Sequence, residues 1–171
     1  MKNKLTLAVM TVLLAVGLSS AVAHADTVTF TLTNPTQSIS GQAGGTLTYE
    51  VTASAPGSNG AAVNLNGEVF TAGAPLTLDP SDFFANAPFF LNPGDSAIFD
   101  LFTVSVPADT LVGNYSGSFS VVGGATSDDV TDVLSTVNFV AVVTPEPGSF
   151  LLLGTGLAGV LTTLKRKRLC N

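Results

Sequence analysis

The sequence predicts an all-β protein: a two-sheet sandwich over residues 26–144, flanked by an N-terminal signal-peptide helix and a C-terminal transmembrane helix. Three observations carry this prediction. Apolar and polar residues alternate with period two through the middle of the chain, Thr and Val fill the alternating segments, and no helical stripe interrupts them. The two long apolar runs lie at the chain ends.

The first element is the N-terminal run. Lys2 and Lys4 precede apolar residues 5–18, and Ser19, Ser20, Ala21, Val22, Ala23, His24 and Ala25 form a small-residue cleavage region. This is the pattern of a secretory signal peptide spanning residues 1–25, with Ala23 and Ala25 in the A-x-A site and Asp26 as the first residue after the cut. His24, the only histidine, leaves with the signal.

Composition changes once both ends are set aside. All six basic residues are Lys2, Lys4, Lys165, Arg166, Lys167 and Arg168, and the only cysteine is Cys170. Residues 26–144 keep eleven acids and no Lys, Arg, His, Cys or Trp, against a formal charge of −6 for the whole chain. Without cations to neutralise phosphates, nucleic-acid binding is excluded there. No Ser-His or Cys-His pair, Schiff-base Lys, or imidazole or thiolate metal ligand is available. Only carboxylate chemistry remains, and a glycoside hydrolase needs a carboxyl pair facing one cleft. With few Tyr and no Trp to stack on sugars, the expectation is that the protein is not an enzyme and uses no cofactor. No disulfide can staple the fold, so stability must come from core burial.

Seven strands follow in order. Val28, Phe30 and Leu32 alternate with Thr27, Thr29, Thr31 and Thr33; Leu47, Tyr49 and Val51 alternate with Thr46, Thr48, Glu50 and Thr52. Less regular runs at 64–71, 76–78, 98–106, 114–122 and 133–143 supply the rest, separated by Gly, Pro, Asn and Asp clusters.

Between the fifth and sixth runs, Val106-Pro107 ends a strand and Gly113-Asn114-Tyr115 begins the next. An immunoglobulin-like sandwich places its tyrosine corner at such a junction, and Gly117 stands where antibody domains carry their second Cys. The segment resembles bacterial immunoglobulin-like domains of exported proteins, with Tyr115 as the structural corner; a jelly roll is the alternative.

Two stretches are candidates for binding. Asp82-Phe83-Phe84-Ala85-Asn86-Ala87-Pro88-Phe89-Phe90 concentrates aromatic area and either caps the open end of the core or presents an interaction patch. Asp128, Asp129 and Asp132 are weak Ca²⁺ candidates, with Asp79 or Asp82 as further oxygen donors, but no EF-hand spacing is present and solvated loop acids are the expectation.

The last element is the tail, residues 145–171. Pro145-Glu146-Pro147-Gly148 is held extended by its prolines, an uncharged apolar run covers 150–164, and Lys165, Arg166, Lys167 and Arg168 form a basic stop on the cytoplasmic side. Fifteen residues give about 22 Å of helix, short of the roughly 30 Å hydrocarbon core. Gly154-Thr155-Gly156-Leu157-Ala158-Gly159 fits G-x-G-x-x-G, but no βαβ unit with a distant acid can follow it. Its small residues instead permit close helix packing.

In order and spacing these parts resemble the PEP-CTERM sorting signal of Gram-negative bacteria. The resemblance implies recognition and cleavage near Pro145-Glu146-Pro147 by an exosortase, a membrane-embedded protease. It also implies passage through the inner membrane, temporary anchoring by the C-terminal helix, and delivery to the cell surface or extracellular matrix in association with exopolysaccharide and biofilm. The leading expectation is therefore a non-enzymatic matrix or surface protein, and the alternative is an adhesin or carbohydrate-binding module.

Overall fold

The computed structural model describes residues 26–41, 43–146, 148 and 151–160. Among them are nine strands, β1 (Thr29–Leu32), β2 (Thr36–Ser40), β3 (Gly45–Ser54), β4 (Val63–Ala72), β5 (Thr77–Asp79), β6 (Phe90–Leu91), β7 (Ser96–Val106), β8 (Gly113–Gly124) and β9 (Val133–Thr144), with a short helix α1 (Ser81–Asn86). They form a two-sheet sandwich, one sheet ordered β1-β3-β7-β5 and the other β2-β9-β8-β4-β6. The signal-peptide helix and its Ala23 and Ala25 lie outside the described residues, as do Pro147 and the basic stop Lys165, Arg166, Lys167 and Arg168. Asp26 is described and is partly exposed.

All seven expected strands form, and bulges break the alternation in β4, β7 and β9. Tyr49 pairs with Phe102 while Glu50 pairs with Asp100, so Leu101 is an extra residue on β7. A bulge lets two consecutive residues share a face, and Leu101 and Phe102 are both fully buried. At the register shift between β8 and β9 the extra residue is Leu134 on β9, since Val121 pairs with Ser135 and Val122 with Val133.

Three elements go beyond the sequence reading. β2 pairs parallel with β9 from Thr36↔Val140 to Ser40↔Thr144; its Thr-Gln-Ser-Ile-Ser sequence buries little, and backbone pairing holds it. β6 is only two residues long. α1 stands where the sequence shows no helical stripe: Pro80 precedes it and the Asp79 carboxylate accepts from Ser81 N at 3.0 Å, which holds the Asp79 pKa below the usual carboxylate range. Six residues are too few for a helical stripe to show.

The core is an aromatic stack spanning both sheets. Phe102 lies 5.0 Å from the rings of Tyr49, Phe119 and Phe139, and Phe83 on α1 meets Phe119 edge-on at 6.1 Å. The Tyr49 hydroxyl donates to the Val140 carbonyl at 3.1 Å, tying β3 to β9 across the sandwich.

Burial of the Tyr49 side chain pushes its phenol up to about 12. The unfolded chain ionises this group near 10, so the native state holds the proton more tightly; this contribution to stability is intact below about pH 10 and is lost at up to about 1.4 kcal/mol per pH unit toward pH 12. Residues 26–144 have no Lys, Arg or Cys to obscure the effect, and Tyr115 is the only other phenol. Urea unfolding across this range should show the alkaline loss in wild type and a flatter profile in Tyr49→Phe, which loses about 1 kcal/mol at neutral pH with its hydrogen bond. An equally steep alkaline loss in both proteins would refute the assignment.

Candidate functional site

Strand β9 delivers the chain to one end of the sandwich. Its C-terminus is paired on both sides, with Thr144 opposite Ser40 on β2 and Val143 opposite Gly113 on β8. Gly41 N donates to the Thr144 carbonyl at 3.1 Å, and Thr144 Oγ1 donates to the Ile39 carbonyl at 3.2 Å. The strand thus runs to Thr144 with no linker before Pro145.

Two turns close this end. Gly41 sits where any Cβ would run into the Thr110 backbone carbonyl, so close approach requires glycine there. Thr110, buried, donates to the Pro107 carbonyl at 2.6 Å, and Asp109 takes a left-handed φ of 61°. The Tyr115 hydroxyl donates to the Leu111 carbonyl at 2.9 Å, four residues back. Pro145 and Glu146 lie over these turns, lining a shallow recess with Gly41, residues 109–112 and Thr144. Pro145 is exposed and Glu146 half-buried, in neither helix nor strand, while Gly148 is exposed and helical.

Residues 151–160 are helical and exposed. Among the described residues no helix is long and apolar enough to cross a membrane; Phe150 and residues 161–164 of the expected 150–164 span lie outside them.

The other candidates separate. Phe83 is buried in the core, but Phe84, Phe89 and Phe90 are exposed, Phe89 at 87%. The group therefore splits between core and surface, along the side of the sandwich where α1 connects edge strands of opposite sheets. Phe84 and Phe89 border a cleft of about 260 Å³ with Asn64, Asn66 and Ser127. The Asn66 amide is already committed to the Thr126 and Asp129 carbonyls, fixing the loop that carries Asp128, Asp129 and Asp132. Among the described residues no three acidic side chains are arranged to hold a metal ion. Asp82 accepts from Thr103 Oγ1 at 2.7 Å and Asp79 serves α1, so neither joins the loop acids.

Gly117 has no room for a side chain, because a Cβ would meet the Phe139 ring and the Thr71 carbonyl. The sequence reading placed the last strand run directly before the tail motif, but missed β2, which pairs with the end of that strand at Ser40↔Thr144.

Residues 143–167 match the PEP-CTERM protein-sorting motif. No curated protein matches the chain. The motif implies export, transient anchoring at the membrane and processing by an exosortase. It begins inside β9, at Val143.

Removing the hydroxyl in Tyr115→Phe should lower unfolding stability by about 1 kcal/mol through the lost bond to Leu111. Denaturant midpoints of the two proteins check this, and equal midpoints would contradict a structural role for that hydrogen bond.

Proposed function

We propose, taking the sorting motif at residues 143–167 as premise, that this chain is a non-enzymatic protein of the cell surface or extracellular matrix, associated with exopolysaccharide. Residues 1–25 act as the signal peptide, 26–144 as the ectodomain and 145–171 as the sorting tail. The single observation that carries the reading is the motif itself. The absence of Lys, Arg, His and Cys from residues 26–144 supports a role without catalysis. An immunoglobulin-like arrangement is supported by the sheet orders, which follow the ABED and CFG strands of that fold with β2 added beside β9 and β6 beside β4, and by the bond from Tyr115 back to Leu111.

In this reading residues 150–164 span the inner membrane for a time, with Pro145-Glu146-Pro147 just outside, and an exosortase cuts near the motif. Replacing Pro145-Glu146-Pro147 with three alanines should leave the chain in the inner membrane with its tail intact, whereas the wild-type chain reaches the surface without residues 150–171. Mass spectrometry of both fractions from a cell containing the enzyme reads the outcome. Full-length wild-type protein in the inner membrane would sink the proposal.

A binding-module reading draws on a different observation, the exposed rings of Phe84 and Phe89 beside Asn64 and Ser127. Aromatic faces beside polar groups suit sugar rings. Saturable binding of host polysaccharide that is lost in Phe89→Ser would support this reading, and binding unchanged by that substitution would remove the cleft from it.

A further inference from the structure

The turn at residues 109–112 presents two apolar side chains to solvent beside the sorting motif. Leu111 is 79% and Val112 61% exposed. Since Gly113 pairs with Val143 across antiparallel strands, residues 109–112 stand level with the start of the tail along the strand axis. Scattered exposed apolar residues are ordinary, but the position of these two is not arbitrary.

Chain length fixes what lies opposite them. Thr144 is pinned to β2, and Val143 before it to β8 as well, and only residues 145–149 separate Thr144 from the apolar run that starts at Phe150. Five residues reach at most about 18 Å, and the headgroup layer takes up roughly 5–7 Å of that. The end of the sandwich bearing Leu111 and Val112 is thus kept close to the bilayer surface whenever the tail is inserted. The apolar run is also short of the hydrocarbon thickness, and a short span draws flanking residues toward the interface.

Charge points the same way. Asp26 accepts from Gly60 N, and Asp26, Asp129 and Asp132 line one recess with Gly123, Gly124 and Val133, at the opposite end of β8 and β9. The twelve residues of β9 place that acidic end about 40 Å from Thr144. Anionic lipids repel carboxylates at both ends, but the far recess gathers three, Asp26, Asp129 and Asp132, against Asp109 and Glu146 lining the recess at the tail end.

We propose that Leu111 and Val112 form a lipid-contact surface that enters the bilayer interface while the tail is inserted, holding the sandwich upright with its acidic end away from the membrane. This rests on the sorting reading above. The test uses the full chain, purified from inner membranes of a host lacking the processing enzyme and reconstituted in vesicles of phosphatidylethanolamine and phosphatidylglycerol. Cys170→Ser removes the only thiol, and single cysteines at Leu111→Cys, Ser127→Cys or Leu157→Cys carry an environment-sensitive dye. With quencher-bearing lipids, the dyes at positions 157 and 111 should lose emission and the dye at 127 should not. Quenching at 157 with position 111 as bright as 127 overturns the lipid contact and leaves the sorting reading intact; a cross-link from position 111 to the processing enzyme would then assign the surface to a protein. No quenching at 157 removes the inserted tail, and the lipid contact falls with it.

Discussion

The fold depends on one packing contact, the meeting of Phe102 with Tyr49, Phe119 and Phe139 between the sheets. Residues 26–144 contain no cation, so no salt bridge can form among them, and they contain no thiol for a disulfide. The charges present work against folding: Glu50 stands opposite Asp100 across β3 and β7, both exposed, and like charges in that position destabilise a strand pair. Burial must outweigh that repulsion. Rings of this size each remove about 150–250 Å² from water and gain further from offset or edge-on contact, which is why one residue from each of four strands supplies the centre of the molecule.

That dependence explains what was legible in the sequence. Strands with one buried face, such as Val28-Phe30-Leu32 and Leu47-Tyr49-Val51, declare themselves by alternation, because each inward side chain must be apolar. β2 was not legible, since its one apolar residue, Ile39, packs half-buried against the core among polar neighbours, and the strand is held by backbone pairing with β9. α1 was hidden for another reason: its single buried residue, Phe83, has no apolar partner one turn away on the same short helix. The Phe83–Phe90 stretch read as one aromatic group, yet neighbours on a single turn face different ways, so Phe83 enters the core while Phe84 remains exposed.

The tail motif was legible for the opposite reason. Its information is local, carried by proline geometry, an uncharged run and a basic cluster in a fixed order, and no tertiary contact is needed to recognise it. What the sequence did not disclose was its mechanical setting. The match begins at Val143, a fully paired strand residue, so sorting signal and domain overlap. Nothing in the pattern of residues 133–143 says that the strand will be clamped on one side by β2, because β2 itself was invisible.

This overlap links folding to export. β9 lies between β2 and β8, so the second sheet cannot close until residue 144 has emerged beyond the membrane. In the proposed topology the basic residues at 165–168 halt the chain with Phe150 at the outer hydrocarbon boundary, which leaves β9 outside with only five residues to spare. A stop placed one strand-length earlier would leave β9 inside the bilayer and expose the flanks of β2 and β8 as unpaired edges, an invitation to pairing with other chains. The spacing from Thr144 to Phe150 therefore meets two demands at once: it is long enough for the sandwich to complete its sheet, and short enough to hold the finished domain against the membrane until the tail is removed.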